Sequence, residues 1–145
     1  MDFLENGFSM QVNQMSALAL AFVGDSVFDL FIRGRLATRK KESAHQLHMK
    51  ATRYVKAAAQ SKIATALQDN LDEEEKAVFR RGRNAKSSTM PKNANIMDYH
   101  RATGFEAVLG YLYLLGRNER LVELLKMAAE VIELEGEGSN GSKKG

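Results

Sequence analysis

Residues 16–37, SALALAFVGDSVFDLFIRGRLA, decide the fold of this 145-residue chain. The stretch is apolar on nearly all sides, and the only proline of the chain lies far from it, at position 91. Because a helix that is apolar on all sides belongs in the interior of a domain, we expect residues 14–39 to form the buried central helix. The carboxylate of Asp25, in the middle of this stretch, is out of place in such a helix.

Four further stretches continue the helical pattern, and no segment alternates apolar and polar residues as a strand does. Ser43 and Asp72 are predicted N-caps, the second with Glu75 at the spacing of a capping box, and Asn118 is the predicted cap of the last helix. In the second stretch Gln60 falls on the polar face, opposite the apolar one. The sequence therefore predicts an all-α fold, whose remaining helices cover residues 43–67, 72–81, 96–115 and 118–134.

The composition excludes several classes of protein. Cysteine is absent, which rules out disulfides, thiolate metal sites and a cysteine nucleophile. The longest apolar run, residues 17–23, is too short to cross a bilayer, and the acidic N-terminus MDFLENG does not resemble a signal peptide. We therefore expect a cytoplasmic protein without a membrane partner. Its length suits one domain, residues 14–135, between an N-terminal segment, 1–13, and a flexible tail, 136–145.

The net charge of +3 conceals two basic blocks between acidic segments. Residues 33–62 carry nine lysines and arginines against one glutamate, and residues 80–101 have a net charge of +5. Such segregated charge is typical either of solvated helix faces or of a surface that binds a polyanion. The second block includes GRNAKSSTMPKNAN, residues 82–95, which predicts a loop long enough to be functional or disordered.

Two carboxylates stand inside apolar helical stretches: Asp25 in FVGDSVF and Glu106 in TGFEAVLG. An ionised carboxylate in an apolar interior costs several kcal/mol unless it has a cationic partner. Both have small residues nearby, and a glycine inside a helix costs about 1 kcal/mol relative to alanine. Close approach of the two helices accounts for the glycines and lets the carboxylates share one ligand. The small residues are Ala21, Gly24, Gly104, Ala107 and Gly110.

Two oxygen donors without a neighbouring histidine or cysteine suit Mg²⁺ or Mn²⁺. The alternative is that each acid pairs with an arginine, or that Asp25 simply reaches solvent. A metal ion between carboxylates beside a basic surface is the combination that phosphodiester hydrolysis needs, because the ion activates a water while cations hold the strand.

The same motifs resemble those of a known family. AFVGDSVFDL, residues 21–30, is similar to the signature helix of the ribonuclease III catalytic domain, and FEAVLGYLYLL, residues 105–115, to its second acidic motif. Between them, RRGRNAKSSTMPKN, residues 80–93, is similar to a segment of the Mini-III ribonucleases, the short branch of the family. The resemblance extends over residues 15–134.

The resemblance implies an all-α endonuclease domain that forms a homodimer. It implies Mg²⁺-dependent cleavage of double-stranded RNA into 5′-phosphate and 3′-hydroxyl ends, in the maturation of large-subunit ribosomal RNA precursors. Asp25 and Glu106 are then the catalytic metal ligands, and Thr103 is a residue that orients a metal-bound water. The residues expected to contact RNA are Arg80, Arg81, Arg83, Asn84, Lys86, Ser87 and Lys92.

Two departures from the general family pattern leave alternatives open. Ala21 stands where the pattern has a glutamate one turn before the signature aspartate, and Thr103 stands where it has an aspartate. A catalytically inactive RNA-binding structural module with the ribonuclease III fold is therefore the main alternative. A third class, an all-α nucleotide pyrophosphohydrolase, needs several acids in an E-x-x-E-type cluster, and none lies near Asp25 or Glu106 in sequence. The acidic run DEEE at 72–75 is better explained as the start of a helix.

Overall fold

Six α-helices make up the part of the chain that the computed structural model describes, which is residues 11–87, 90, 92 and 95–144, with residues 137–144 described for their backbone only. Short 3₁₀ turns, Val12–Gln14 and Gln68–Asn70, precede the first and the fourth helix. These residues contain no strand, which confirms the all-α prediction. The helices are α1 (Ala17–Arg39), α2 (Ala44–Val55), α3 (Ala57–Leu67), α4 (Glu73–Asn84), α5 (Ile96–Leu114) and α6 (Asn118–Lys144).

The centre of the domain is α5 and not α1. Helices α1, α3 and α4 all pack against α5, and Phe28 of α1 meets Phe105 of α5 edge to face, with ring centroids 5.3 Å apart. Only one side of α1 is covered, so that Phe22 and Leu30 remain exposed on the other. The expectation that the first helix is buried on all sides is therefore wrong, because its second apolar side has no partner within the described chain.

The predicted helix starts are confirmed at two positions. Ser43 Oγ accepts the Gln46 backbone N–H at 3.2 Å, and Asp72 Oδ1 accepts that of Glu75 at 2.8 Å. The side chains of Gln46 and Glu75 accept the cap residues' own N–H groups at 3.0 Å in return, which completes two capping boxes. Asn118, in contrast, is the first residue of α6 and not its cap.

The single helix predicted for residues 43–67 is two helices, α2 and α3. Lys56 separates them in an extended conformation, with φ −64° and ψ 153°. The break changes the direction of the chain, so the helical register of α2 does not continue into α3. Gln60, predicted on the polar face, is as a result only 3% exposed.

The helix ends also differ from prediction. Helix α4 continues to Asn84, so that the loop begins at Ala85, and α6 continues to Lys144, through the segment predicted as a tail. Residues 1–10 of the predicted N-terminal segment, and residues 88, 89, 91, 93 and 94 of the loop, lie outside the described residues. No helix of the described chain combines the length and the apolar character needed to cross a membrane.

Helices α1 and α5 approach each other most closely at two glycines, as the sequence predicts. A Cβ atom on Gly24 would lie 1.7 Å from the backbone oxygen of Glu106, and one on Gly110 would lie 1.9 Å from that of Leu20. At each glycine, the backbone of the other helix thus occupies the space that a side chain would need. The two helix backbones are therefore in direct contact beside Glu106.

We expect Gly24→Ala to lower the free energy of unfolding by about 3 kcal/mol, because the added methyl group can be accommodated only by moving α1 away from α5. Gly34→Ala is the matched control in the same helix, since a Cβ there meets nothing within 4 Å. That change should raise stability by about 0.5–1 kcal/mol through helix propensity. Urea unfolding followed by circular dichroism measures both, and equal stability of the two variants would contradict the packing argument.

Candidate active site

The glycine contact brings the two carboxylates together. Gly24 rests on the backbone of Glu106, and the carboxyl group of the next residue, Asp25, is close enough to raise the pKa of the Glu106 side chain. Asp25 is exposed, whereas Glu106 is partly buried. The predicted pair is thus adjacent, but only Glu106 lies in an interior environment.

The environment of Glu106 favours its neutral form. Burial and the neighbouring Asp25 raise the pKa of Glu106 to about 8, although the amide of Gln60 opposes that change. In the described residues no lysine or arginine forms an ion pair with Asp25 or Glu106. One turn further along α1, Asp29 does pair with Arg33, at 2.9 Å. In the part of the chain that the structure describes, the pair of carboxylates therefore has no ion-pair partner.

Gln60 of α3 is the site residue that the sequence did not indicate. Its Nε2 donates to the backbone oxygen of Val55 at 2.8 Å and lies 3.4 Å from Glu106 Oε2. Its Oε1 is buried and has no hydrogen-bond partner in the described structure. A polar residue on the polar face of a predicted helix is expected to face solvent. Gln60 faces the interior because the helix breaks at Lys56.

These groups fit a small divalent cation that takes oxygen ligands. No group of three or more histidine, aspartate or glutamate side chains suitable for a metal occurs in the described chain, so the candidates are Asp25 and Glu106. Mg²⁺ and Mn²⁺ are often held by one or two carboxylates and keep several waters. An unbalanced carboxylate pair beside an unpaired amide oxygen is suited to such a partly hydrated ion.

Thr103 is buried one turn before Glu106. Its hydroxyl donates to the backbone oxygen of Tyr99 at 2.9 Å, within α5. The hydroxyl proton is therefore engaged, while the oxygen keeps the capacity to accept. The expected role of Thr103 in orienting a water stays a prediction.

The basic end of α4 lies against α5 next to the carboxylates. A Cβ on Gly82 would be 2.8 Å from Gly104 Cα and 3.0 Å from both the backbone oxygen of Thr103 and the Ala107 Cβ. Because Thr103 and Ala107 flank Glu106 in α5, this second glycine contact places the last turn of α4 within about one helical turn of the site. The sequence contains both glycines, but their pairing is visible only in the fold.

The residues predicted to contact RNA are gathered at this end of α4 and in the loop after it. All are exposed except Ser87, which is half-buried and has a contact of its own. Arg81 donates to the backbone oxygen of Met15 at 3.0 Å, and Arg83 lies over the Phe79 ring at 5.9 Å. Within the described chain none of these cations has an acidic partner. The set is Arg80, Arg81, Arg83, Asn84, Lys86, Ser87 and Lys92.

Part of the other basic block, residues 33–62, lines a cleft of about 500 Å³ between α1, α2 and α6. Two of its cations are paired there, Arg39 with Glu133 at 2.9 Å and Lys50 with Glu42 at 2.6 Å. The cleft lies at the C-terminal end of α1, about 20 Å along the helix from Asp25 at 1.5 Å per residue. The part of this block that lines the cleft is therefore separate from the carboxylate pair, although Gln60, near the end of the block, lies beside Glu106.

The acidic run at 72–75 has a structural role. Asp72 caps α4, and Glu75, only 1% exposed, accepts from Arg120 at 2.8 and 2.9 Å. Glu74 accepts from Tyr111 and from Arg117. These contacts occupy the acids with caps and ion pairs, which agrees with their interpretation as a helix start.

Comparisons with known proteins agree with the geometry. A family model described as the ribonuclease III domain matches residues 18–117. The Mini-ribonuclease 3 of Clostridium tetani is 46% identical over 98% of this chain and 97% of its own length, and that of Thermoanaerobacter sp. is 46% identical over 92% and 96%. A crystal structure of a protein from Fusobacterium nucleatum superposes with a TM-score of 0.75 at 31% identity, covering 84% of this chain and 98% of that one. The segment matched by the family model contains Asp25, the basic end of α4 and Glu106.

Proposed function

Because this chain is a ribonuclease of the ribonuclease III family, in its Mini-ribonuclease 3 branch, we propose that it cleaves double-stranded RNA with a divalent metal ion held by Asp25 and Glu106. The observation that carries the proposal is the close approach of α1 and α5 at Gly24, which brings Asp25 near enough to Glu106 to raise its pKa. In the described chain these two carboxylates form no ion pair, and the basic end of α4 lies beside them. The products are RNA ends with a 5′-phosphate and a 3′-hydroxyl.

Mg²⁺ is the ion that this pair would hold, and Mn²⁺ has similar ligand preferences. When bound, such an ion supplies an activated water and stabilises negative charge on the leaving oxygen. Asp25, which is exposed, is open to the substrate, while Glu106 is held from behind by Gln60. Thr103 Oγ1 keeps a free acceptor position one turn away, where it can orient a water.

The basic end of α4 and the loop after it would hold the RNA. Exposed arginines and lysines meet phosphates, and Asn84 and Ser87 offer short polar groups to 2′-hydroxyls. A-form RNA presents those hydroxyls across a wide, shallow minor groove and is recognised mainly by shape. Neutralising phosphates releases counterions, so binding should weaken as salt rises.

The cellular substrate we propose is a precursor of large-subunit ribosomal RNA, as the resemblance to the Mini-III branch implies. We expect the processing to occur in the cytoplasm, since the sequence shows no signal peptide. The alternative is a module that binds RNA without cutting it. Such a module would gain nothing from two adjacent carboxylates without a countercharge, which cost free energy in an ion-free protein. Retention of Asp25 and Glu106 in contact therefore supports an enzyme.

A homodimer is the assembly we propose, formed through the uncovered side of α1. Leu18, Phe22 and Leu30 lie along one side of this helix, and Phe22 is 81% exposed. Contiguous exposed apolar surface typically marks an interface. A second copy is the occupant that fits best, because a two-fold axis at this side of α1 would bring two Asp25 sites near each other, one for each RNA strand.

We expect Asp25→Asn and Glu106→Gln each to reduce cleavage of long double-stranded RNA in Mg²⁺ at least 100-fold, because each removes a ligand of the ion. Asp29→Asn, which removes a carboxylate one turn away that pairs with Arg33, is the control and should retain activity. Gel electrophoresis of the RNA measures the rate. A parent protein that does not cut with any divalent ion would refute the nuclease, and wild-type rates in both site variants would refute the site.

We expect Arg80→Ala and Arg83→Ala each to weaken RNA binding and to reduce the slope of log affinity against log salt by about one, as for loss of one phosphate contact. Lys126→Ala, on an exposed position of α6 outside both basic blocks, should leave the slope unchanged. Fluorescence anisotropy in Ca²⁺ or EDTA separates binding from cleavage. Unchanged binding in both arginine variants would contradict an RNA contact at this end of α4.

We expect Phe22→Glu to convert the dimer to a monomer, since it places a charge at the centre of the proposed interface. Met49→Glu is the matched control, because Met49 is an exposed apolar residue on α2, at 58% exposure. Sedimentation velocity distinguishes the two masses. A wild-type protein that stays monomeric at micromolar concentration, or a Phe22 variant that stays dimeric, would count against this interface.

A further inference from the structure

Gln60 occupies an unusual position between two helices. It belongs to α3, is 3% exposed, and lies between the C-terminal residue of α2 and the candidate metal ligand on α5. The break at Lys56 creates this position, because α2 ends there and leaves the Val55 backbone oxygen to be satisfied by another group. The side chain of Gln60 supplies that group.

The contact with Val55 fixes which way round the amide lies. A backbone oxygen can only accept, so the atom 2.8 Å from it must be the donor nitrogen of Gln60. The same nitrogen lies 3.4 Å from Glu106 Oε2. The Oε1 atom therefore occupies the other position of an amide whose nitrogen already lies beside Glu106.

That oxygen is the anomaly. It is buried and has no hydrogen-bond partner in the described structure, although buried polar groups are nearly always paired. In the form that would bind a cation, Glu106 is ionised and can only accept hydrogen bonds, so it then offers Oε1 no proton. A donor that is present only when the site is filled resolves this, and waters on a divalent cation are such donors.

We propose that Gln60 is a positioning residue of the carboxylate site, whose amide nitrogen orients Glu106 and whose Oε1 accepts a hydrogen bond from a water carried by the bound divalent ion. The inference rests on the proposed metal-dependent function and extends it to a residue outside both acidic motifs. Groups that orient ligands in this way commonly change metal affinity 10- to 100-fold when they are removed.

The test measures binding of Mn²⁺ alone to the full chain, without RNA, from the loss of the electron paramagnetic resonance signal of the free ion. Gln60→Leu removes both functions of the amide and should weaken Mn²⁺ binding at least tenfold. Gln60→Glu loses the donor nitrogen but keeps an oxygen at the Oε1 position and adds a negative charge that attracts the cation, so it should bind Mn²⁺ at least as tightly as the parent. Ser61→Ala, a buried neighbour on α3 at 3% exposure, is the control and should bind like the parent.

The outcomes separate this inference from the function on which it rests. A parent that binds no Mn²⁺ refutes the metal site itself. A parent that binds, with Gln60→Leu binding equally well, refutes the role of Gln60 alone. If the leucine variant does not fold, Gln60→Glu decides, since binding weaker than that of the parent overturns the proposal.

A purely structural role makes a different prediction. Loss of the Val55 contact alone would lower the melting temperature of both variants and leave Mn²⁺ affinity unchanged. The proposal instead expects kcat for RNA cleavage to fall in Gln60→Leu at saturating substrate, with KM for RNA unchanged, and Gln60→Glu to recover Mn²⁺ binding even if its melting temperature is low.

Discussion

The contact between the backbones of α1 and α5 at Gly24 and Gly110 is the constraint on which the rest of the structure depends. It lets the two helices approach until a Cβ on either residue would overlap the other helix's backbone. This short distance between the helix axes places Asp25 next to Glu106, because both residues lie beside the glycine contact. Each glycine costs about 1 kcal/mol of helix propensity, which burial of Phe28 against Phe105 and of the surrounding apolar residues offsets.

The site itself opposes stability. Glu106 is desolvated beside a second carboxylate, a situation that raises its pKa to about 8. Among the described residues, the amide oxygen of the neighbouring Gln60 is buried and has no hydrogen-bond partner. Elsewhere the fold satisfies its buried charges, as with Glu75 and Arg120, where the arginine makes two hydrogen bonds to the carboxylate. A desolvated carboxyl group beside an amide with an unpaired oxygen, in a protein that pairs a buried charge such as Glu75, is typical of a binding site whose ligand completes these groups.

Much of this arrangement can be predicted from local sequence. The capping boxes at Ser43 and Asp72 depend on residues three apart, and the α1–α5 contact follows from glycines beside misplaced acids. What sequence does not reveal depends on the path of the chain. The break at Lys56 has neither proline nor glycine to mark it, so Gln60 is assigned to the wrong environment. The pairing of Gly82 with Gly104, and the central position of α5, depend on packing between distant segments. The sequence of α1 is apolar on both sides, but an apolar pattern does not show whether the surface that covers each side belongs to the same chain.

The charges of the molecule can be understood from the same geometry. A phosphodiester in a cleavage site carries negative charge toward two carboxylates, so it can approach only where cations compensate. The second glycine contact brings the arginines at the end of α4 to within about one turn of Glu106 on α5, while the acids at the start of α4 are held at its other end by Arg117 and Arg120. Helix α4 thus carries acids at its N-terminus and arginines at its C-terminus, which is the arrangement that the helix dipole favours. The net charge of the chain is small because 21 lysines and arginines nearly balance 18 aspartates and glutamates. Their separation in space leaves a basic surface that the net charge does not reveal.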